Sequence, residues 1–485
     1  MTPPSVAQGP GTTDRTSARA TPTEAGVRGG RRPKIVVIGA GSADFGVDCL
    51  AGIFRTPGLH GCELVLVDID REKLQLAERI ATKLNEKTGA EIEISATPSR
   101  AEALPGAGFV VLAVAIDRED TWSRDHEVAL GYGIAHYAEN GGPGAFAHAC
   151  RNLGLVLPIL RDIEQLCPAA YVLTLTNPLT RICSAINTAT RLRFAGICHG
   201  IGIGYWIVAT AMHRELGLAL PDDPRFLWRD DMIGHFEHSQ RVAKERYSIR
   251  AAGINHFSWI LAIHDLETGE EISSLVRQQL TELPASFEPL TRRLADVFGL
   301  IPVQSDTHIS EYVPFTSHPS AWGEYDVQLY DFAWAKARRG RHEQAVRSMA
   351  DGQTTVDEIL DADSERVEFV IDAIVNNTHG YEEALNVPNR GYIENLPREA
   401  VVEVPCVVDA NGVSGIHVGR LPEPIAALCR TQLTIAELNV RAFLTGDREL
   451  VHQLLAIDPM VRDLDTAVRI GDEYIELYRD YFQFD

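Results

Sequence analysis

One stretch decides the fold of this chain: Arg32-Pro-Lys-Ile-Val-Val-Ile-Gly-Ala-Gly-Ser-Ala-Asp-Phe-Gly46. A short apolar run rich in β-branched residues is followed at once by Gly39 and Gly41. A buried strand that ends in a glycine turn and opens into a helix is typical of a dinucleotide-binding unit, because the backbone can approach a pyrophosphate and the helix N-terminus faces that anion. Asp44 stands where the usual third glycine would be, so an ordinary strand and turn stays the alternative.

The next apolar run, Glu63-Leu-Val-Leu-Val-Asp68, ends in an acid. An acid at the end of the second strand can accept hydrogen bonds from ribose hydroxyls. Asp68 therefore strengthens the dinucleotide interpretation, and it favours NAD over NADP because a carboxylate would repel a 2′-phosphate. The alternative is that Asp68 caps the helix predicted over 72–87.

Strands alternate with helices from residue 34 to 200, which predicts an α/β fold with a Rossmann-like, doubly wound parallel sheet. After Gly200 the pattern becomes that of an α+β domain, and the charged segment 221–250 is expected to be an irregular, inserted flap. The predicted divisions are a disordered tail over 1–32, an NAD-binding domain over 33–200, and an α+β substrate and oligomerisation domain over 201–485.

Composition narrows the class of protein. The formal net charge of −22 argues against a general nucleic-acid binder. No apolar run reaches the ~20 residues that span a bilayer, so no membrane partner is expected. The eight cysteines form no C-x-x-C pair, which fits a reducing, cytoplasmic location better than a disulfide framework or a zinc knuckle.

Polar residues follow several predicted strands. Asn177 can hydrogen-bond a sugar hydroxyl or the nicotinamide ribose, although it could equally cap the next helix. Cys198 and His199 follow a later strand, and His256 lies between two more. One thiolate and one imidazole are too few for a structural zinc site, but they could hold a divalent metal whose other positions go to substrate oxygens. A purely structural role for each residue is the competing interpretation.

The segment Ser305-Asp-Thr-His-Ile-Ser-Glu-Tyr312 carries two carboxylates, an imidazole and a phenol within eight residues. Such a density of titratable groups is expected at a site of proton transfer. A solvated, charged turn is the alternative.

Taken in order, these motifs resemble glycoside hydrolase family 4, and the resemblance runs from about residue 34 to 475. The motifs that carry it are Gly39-Ala-Gly-Ser42, Leu66-Val-Asp-Ile-Asp70, Gly142-Pro-Gly144, Thr176-Asn-Pro178, Cys198-His-Gly200, Gly253-Ile-Asn-His256, Asp306-Thr-His-Ile-Ser-Glu311 and Asn386-Val-Pro-Asn389.

The resemblance implies a glycosidase that holds NAD tightly and needs a divalent metal, usually manganese. It also implies an unusual mechanism, in which C3 of the sugar is oxidised, the C2 proton is removed, the glycosidic oxygen leaves by elimination, and the ketone is finally reduced again. Such NAD-dependent enzymes depart from the two-carboxylate scheme of most glycosidases. Family members commonly form dimers or tetramers, so a homodimer or homotetramer is expected.

The resemblance also assigns roles. Cys198 and His256 match the metal ligands, His199 matches the acid of α-active members, and Asn177 matches a substrate-binding asparagine. The cofactor contacts match Gly39, Gly41, Ser42 and Asp68.

For the base that takes the C2 proton, the resemblance leaves two candidates. Asp306 matches a carboxylate proposed for this role in α-active members, and Tyr312 is a weaker candidate because other members use a tyrosine.

Two departures from the family pattern bear on the substrate. The spacing from Cys198 to His256 is about twice that of well-known members, and Ala145 and His148 replace a common glycine and arginine. Because no strong phosphate-binding signature is present, an unphosphorylated α-glycoside or α-uronide is expected rather than a sugar 6-phosphate. A plain NAD-dependent dehydrogenase of hydroxy acids or sugars, and a protein that holds NAD without turnover, are the competing hypotheses.

Overall fold

The structure is a computed structural model that describes residues 32–42, 46–116, 118–224, 229–316, 325, 327–361 and 364–484. The predicted tail, apart from Arg32, and the departure at Asp44 lie outside the described residues.

Six short apolar strands form a parallel sheet in the order β3-β2-β1-β4-β5-β6. Most of their residues are buried, as expected where helices cover both faces of a parallel sheet. This is the strand order of a dinucleotide-binding fold, and the α/β, doubly wound prediction is confirmed. The strands are β1 (Lys34–Ile38), β2 (Glu63–Val67), β3 (Glu93–Thr97), β4 (Phe109–Leu112), β5 (Tyr171–Thr174) and β6 (Arg193–Ile197).

Seven helices accompany these strands in the described residues. The fifth begins at Gly142, so the Gly-Pro-Gly segment forms its first turn. Pro143 is tolerated there because the first N–H groups of a helix have no partner within it. The helices are α1 (Gly46–Arg55), α2 (Arg71–Thr88), α3 (Arg100–Ala103), α4 (Arg118–Gly131), α5 (Gly142–Leu166), α6 (Leu179–Ala189) and α7 (Ile201–Ala211).

The second half of the chain extends the same sheet. Strand β9 pairs antiparallel with β6, and the order continues β9-β10-β7-β8, with β11 beside β10. One sheet thus crosses the predicted domain boundary at residue 200, and that boundary stays a prediction. The added strands are β7 (Tyr247–Ile254), β8 (Phe257–Asp265), β9 (Gly380–Pro388), β10 (Val401–Asp409) and β11 (Gly412–Gly415).

Within 221–250, the expectation of an irregular flap is wrong for residues 230–246, which form a 17-residue helix, α8. Acids in its first turn and bases in its last turn complement the helix dipole. Residues 225–228 lie outside the described part of the chain.

The remaining helices lie mostly before β9 and after β11. None of the helices among the described residues is long and apolar enough to cross a bilayer. The helices of the second half are α8 (Asp230–Arg246), α9 (Ser273–Glu282), α10 (Pro289–Phe298), α11 (Asp306–Ile309), α12 (Phe332–Ala350), α13 (Asp357–Asp361), α14 (Val367–Asn376), α15 (Glu423–Thr445), α16 (Arg448–Ala456) and α17 (Leu464–Leu477).

Candidate active site

A cleft of about 720 Å³ follows the carboxyl ends of the parallel strands. Its volume lies within the range of small-molecule and cofactor sites, and ligands of such sheets bind at this edge. The structure brings the four predicted cofactor residues together in its lining, with Asn177 at the far end. The predicted residues in the lining are Gly39, Gly41, Ser42, Asp68 and Asn177.

The glycine turn after β1 is held tightly. Gly39 has φ +88°, and a Cβ there would lie 2.2 Å from the carbonyl oxygen of Ala113. The N–H of Gly41 donates to Oδ2 of Asp68 at 2.9 Å, and a Cβ on Gly41 would lie 2.5 Å from Cβ of Lys73. Both positions therefore need glycine, because any side chain would collide with the neighbouring segments. The turn can then lie close to these segments, at the edge of the cleft.

Asp68 does not cap α2, so that alternative is wrong. Asp70 is the cap residue, and its side chain accepts hydrogen bonds from the N–H groups of Glu72 and Lys73. Asp68 accepts instead from the backbone of Gly41 and of Asp70, at the wall of the cleft.

Cys198 and His256 meet in space. Cys198 follows β6, and His256 lies in the tight turn between β7 and β8 with φ +59°. The Sγ atom of Cys198 lies 3.4 Å from Nε2 of His256, and the N–H of Gly200 donates to the same sulfur at 3.4 Å. Burial raises the pKa of the Cys198 thiol and lowers the pKa of His256 to about 3. Both groups are therefore neutral near pH 7 until a cation binds.

Two further donors lie beside His256: Glu139, which no motif in the sequence marked, and His308, the imidazole of the titratable segment 305–312. Donor atoms of Glu139, His256 and His308 all lie within 4.8 Å of one another. Nδ1 of His308 is buried without a hydrogen-bond partner, and burial together with His256 lowers the pKa of His308 to about 3. Divalent transition metals bind thiolates, imidazoles and carboxylates, and all three kinds of group are present here. The unsatisfied lone pair of His308 is also consistent with a metal site.

Side-chain amides orient Glu139. Asn177 donates to Oε1 at 3.0 Å and Asn140 donates to Oε2 at 3.1 Å. The same Asn140 amide lies 3.0 Å from Nδ1 of His256. Asn177 therefore touches both the cleft and the carboxylate of the donor cluster, so the two sites adjoin.

Glu311 fixes the loop that carries Glu139. Its carboxylate accepts the backbone N–H groups of Glu139 and Asn140 at 3.0 to 3.2 Å. Burial, and then the charge of Glu139, raise the pKa of Glu311 well above its ordinary value. Two carboxylates thus lie close together in a buried site, and a divalent cation nearby would reduce their mutual repulsion.

The two candidate bases are placed differently from expectation. Asp306 accepts the N–H groups of Leu290 at 2.8 Å and Thr291 at 2.7 Å, so its carboxylate caps α10. The hydroxyl of Tyr312 donates to the carbonyl of Asn255 at 3.1 Å, and burial raises the pKa of this phenol well above its usual range. Asp306 faces a neighbouring helix, and this placement does not support it as the proton acceptor.

His199 lies at a more open position. Its Nδ1 is 2.7 Å from a carboxylate oxygen of Glu365, and its side chain is 64% exposed while that of Glu365 is 8% exposed. No motif in the sequence pointed to Glu365, which lies 166 residues from His199 along the chain.

A dinucleotide-type cleft that runs into a thiol, imidazole and carboxylate cluster defines a nucleotide-dependent metalloenzyme. Two family models match the chain: family 4 glycosyl hydrolase over residues 34–212, and the family 4 glycosyl hydrolase C-terminal domain over residues 251–461. The chain belongs to the family 4 glycosyl hydrolases, which confirms the expectation of an NAD- and divalent-metal-dependent glycosidase. A plain dehydrogenase is not favoured.

Individual relatives agree with this assignment. An alpha-glucosidase of Erwinia rhapontici is 30% identical over 93% of this chain and 99% of its own length. An alpha-galactosidase of Bacillus subtilis (strain 168) is 26% identical over 88% of this chain and 93% of its own length. The 6-phospho-alpha-glucosidase from gut microorganisms, solved in complex with NAD and Mn²⁺, shares the fold with a TM-score of 0.75 at 19% identity, covering 94% of this chain and all of that one.

Proposed function

We propose that this enzyme hydrolyses an unphosphorylated α-glycoside or α-uronide, with NAD in the cleft and Mn²⁺ at the Cys198–His256 cluster. The observation that carries the proposal is the contact of Asn177 with both the cleft and Glu139. When bound, NAD takes a hydride from C3 of the sugar and later returns it, and the metal polarises the C2 and C3 oxygens. The protein's own residues bind these groups, orient the sugar and move protons.

The turn from Gly39 to Ser42 holds the cofactor through its backbone, and Asp68 binds the ribose hydroxyls. The carboxylate of Asp68 lies in the wall of the cleft while it accepts two backbone N–H groups. A carboxylate oxygen has room for a second hydrogen bond, so these contacts are compatible with ribose binding. The same negative charge favours NAD over NADP.

Cys198, His256 and Glu139 hold the metal in the proposed site. A divalent cation would be held by Sγ of Cys198 and Nε2 of His256, which lie 3.4 Å apart, and the thiol proton would be lost on binding. Asn177 and Asn140 donate to the two oxygens of Glu139 and thereby aim its carboxylate, as partners of metal ligands do. The position of Asn177 in the cleft lining supports its proposed role as a substrate contact.

His308 is our proposed acceptor for the C2 proton, in place of Asp306 or Tyr312. Its imidazole is neutral near pH 7, its Nδ1 has no hydrogen-bond partner among the described residues, and its ring centroid lies 4.8 Å from that of His256. A neutral imidazole with an unused lone pair beside the metal can accept the proton that the metal makes more acidic.

His199 donates a proton to the leaving glycosidic oxygen. Glu365 binds its Nδ1 at 2.7 Å, which fixes the ring and directs the transferable proton to Nε2.

The charge of the site supports an unphosphorylated sugar. Glu139, Glu311, Glu365 and Glu403 are buried around the cluster. These carboxylates would repel a phosphate dianion more strongly than a neutral glycoside or a singly charged uronide. The named activity of the Erwinia rhapontici relative, an alpha-glucosidase, favours the same class.

A cytoplasmic location and a homodimeric or homotetrameric state remain proposals. All eight cysteines are free, which suits a reducing compartment.

A panel of aryl α-glycosides, α-uronides and their 6-phosphates, incubated with NAD, Mn²⁺ and thiol in D₂O, tests the function. We expect aryl release from an unphosphorylated α-substrate, no net NADH, and deuterium at C2 of the product. Stoichiometric NADH would instead identify a dehydrogenase, and turnover of only the 6-phosphates would refute the substrate class.

A further inference from the structure

One helix from the second half of the chain lies over the cofactor cleft. Lys336, Arg339, Gly340 and Glu343 of α12 line the cleft opposite the glycine turn and Asp68. Their spacing of three and four residues places them on one face of the helix. No motif in the sequence marked this helix as part of the cofactor site.

Ion pairs hold α12 against the dinucleotide-binding half. Arg347 contacts Glu72 at 2.5 Å, and Lys73 and Glu343 lie 3.7 Å apart. These pairs are exposed, so each contributes little. The apolar residues that α12 buries include Val346 and Met349 near its end, whereas the face over the cleft is polar. The helix is therefore held at both ends, since Phe332 at its start packs against Trp122 with ring centroids 5.3 Å apart, and its middle forms a polar wall of the cleft.

Packing within the protein does not explain why position 340 is a glycine. Glycine inside a helix is unfavourable relative to alanine. A Cβ at Gly340 would meet no atom within 4 Å, since the residue opens onto the cleft. The missing side chain therefore leaves room for something that enters the cleft.

The charge of this face suits a pyrophosphate. Arg100 and Arg339 both line the cleft, and the guanidinium of Arg100 contacts Asp162 at 2.7 and 2.9 Å. Arg339 is half-buried in the wall formed by α12. A planar guanidinium can donate two parallel hydrogen bonds to phosphate oxygens.

We infer that α12 is the outer wall of the NAD site, in which Arg339 contacts the cofactor's pyrophosphate and Gly340 leaves space for it. The inference rests on the assignment of the cleft to NAD. A cofactor enclosed between the glycine turn and α12 dissociates slowly, as suits one that is regenerated within each turnover.

Equilibrium and stopped-flow binding of NAD to the full-length, cofactor-stripped chain, without sugar, tests this. Arg339→Gln should weaken NAD binding about 10-fold or more, mainly through faster dissociation. The matched control is Arg338→Gln, which removes the same charge from a neighbouring exposed residue outside the cleft lining, and it should stay within about twofold.

Gly340→Ala supplies an independent measurement. Its unfolding temperature without NAD should equal or exceed that of the wild type, because alanine favours the helix and has open space. Its affinity for NAD should nevertheless fall. Equal affinity of Arg339→Gln and Arg338→Gln for NAD overturns the inference, whereas a wild-type chain that binds no NAD refutes the cofactor assignment itself.

Discussion

The sulfur of Cys198 lies 3.4 Å from Nε2 of His256, although 58 residues separate them in sequence. The intervening chain includes α7, α8 and β7, so this contact depends on the complete fold. The thiol thus contacts an imidazole, and donor atoms of Glu139 and His308 lie within 4.8 Å of a donor atom of that same imidazole.

Replacing either member of the pair should remove the metal while sparing the cofactor. We expect Cys198→Ser and His256→Ala each to weaken Mn²⁺ binding by roughly 100-fold or more, since each removes a ligand. Binding of NAD should change by less than about threefold, because the glycine turn and Asp68 are untouched. Calorimetric titration of both ligands measures this, with Cys429→Ala as the control for loss of a buried thiol elsewhere. Variants that still bind Mn²⁺ like the wild type would show that the pair is structural.

Metal binding should release protons. Burial raises the pKa of the Cys198 thiol, so the thiol is protonated at pH 7 and must lose its proton to become a ligand. The apparent affinity for Mn²⁺ should therefore rise by up to about tenfold per pH unit between pH 6 and 8. Titrations in buffers with different ionisation enthalpies should give about one proton released per metal. Affinity that does not depend on pH would exclude the thiolate as a ligand.

Asp306 should prove to be a helix cap. Asp306→Asn keeps one of the two oxygens that accept N–H groups at the start of α10, so its activity should stay near wild type and its stability should fall by less than that of Asp306→Ala. Asp306→Ala should lower the free energy of unfolding by about 1 kcal/mol. Denaturant unfolding and hydrolysis rates test both variants. A loss of about 10² to 10⁴-fold in the rate of Asp306→Asn, together with loss of C2 deuterium exchange, would restore Asp306 as the base.

The parallel half of the fold could be predicted because its evidence is local. Buried parallel strands are continuous apolar runs, and the residues that follow them must meet at one edge of the sheet. This rule alone brought Gly39, Asp68 and Asn177 into one cleft. The helix α8 was missed because it buries few apolar residues, so its charged sequence resembled a loop.

The rest of the site could not be predicted because it depends on contacts between distant segments. Glu139 precedes α5 in a segment with no regular structure, and its partners Asn177 and His308 are far along the chain. The family resemblance made Asp306 a candidate base, but its carboxylate accepts the N–H groups of Leu290 and Thr291 at the start of α10. For such carboxylates the sequence shows the chemical group and only the tertiary structure shows its partner.

Glu365 should matter only when the leaving group needs a proton. The ion pair with His199 fixes the proposed acid, so Glu365→Gln should slow hydrolysis of alkyl α-glycosides by roughly 10 to 100-fold. A dinitrophenyl glycoside, whose leaving group departs without protonation, should be slowed by less than about threefold. Rates for a series of aryl leaving groups measure the difference, and Glu394→Gln is the control because this carboxylate contacts the exposed His417. An equal loss on all substrates would assign Glu365 a structural role.

We expect Glu139 to lower the stability of the metal-free protein and to strengthen its binding of Mn²⁺. Its charge lies near that of Glu311 in a buried site and contributes to the raised pKa of that group, so the two carboxylates repel each other when no cation is present. Glu139→Gln removes this repulsion and keeps the shape of the side chain, but it loses one of the two amide hydrogen bonds. Because the repulsion acts in a buried site, we expect its removal to outweigh that loss, so the metal-free variant should unfold at a higher temperature than the wild type. The same change replaces a charged ligand by a neutral one and should weaken Mn²⁺ binding roughly 10 to 100-fold. Thermal unfolding with and without Mn²⁺ measures both effects on one sample. Glu127→Gln, at a more exposed site on α4, provides the matched loss of charge and should change neither quantity. If Glu139→Gln lowered the unfolding temperature and left Mn²⁺ affinity intact, Glu139 would be a structural residue outside the metal site.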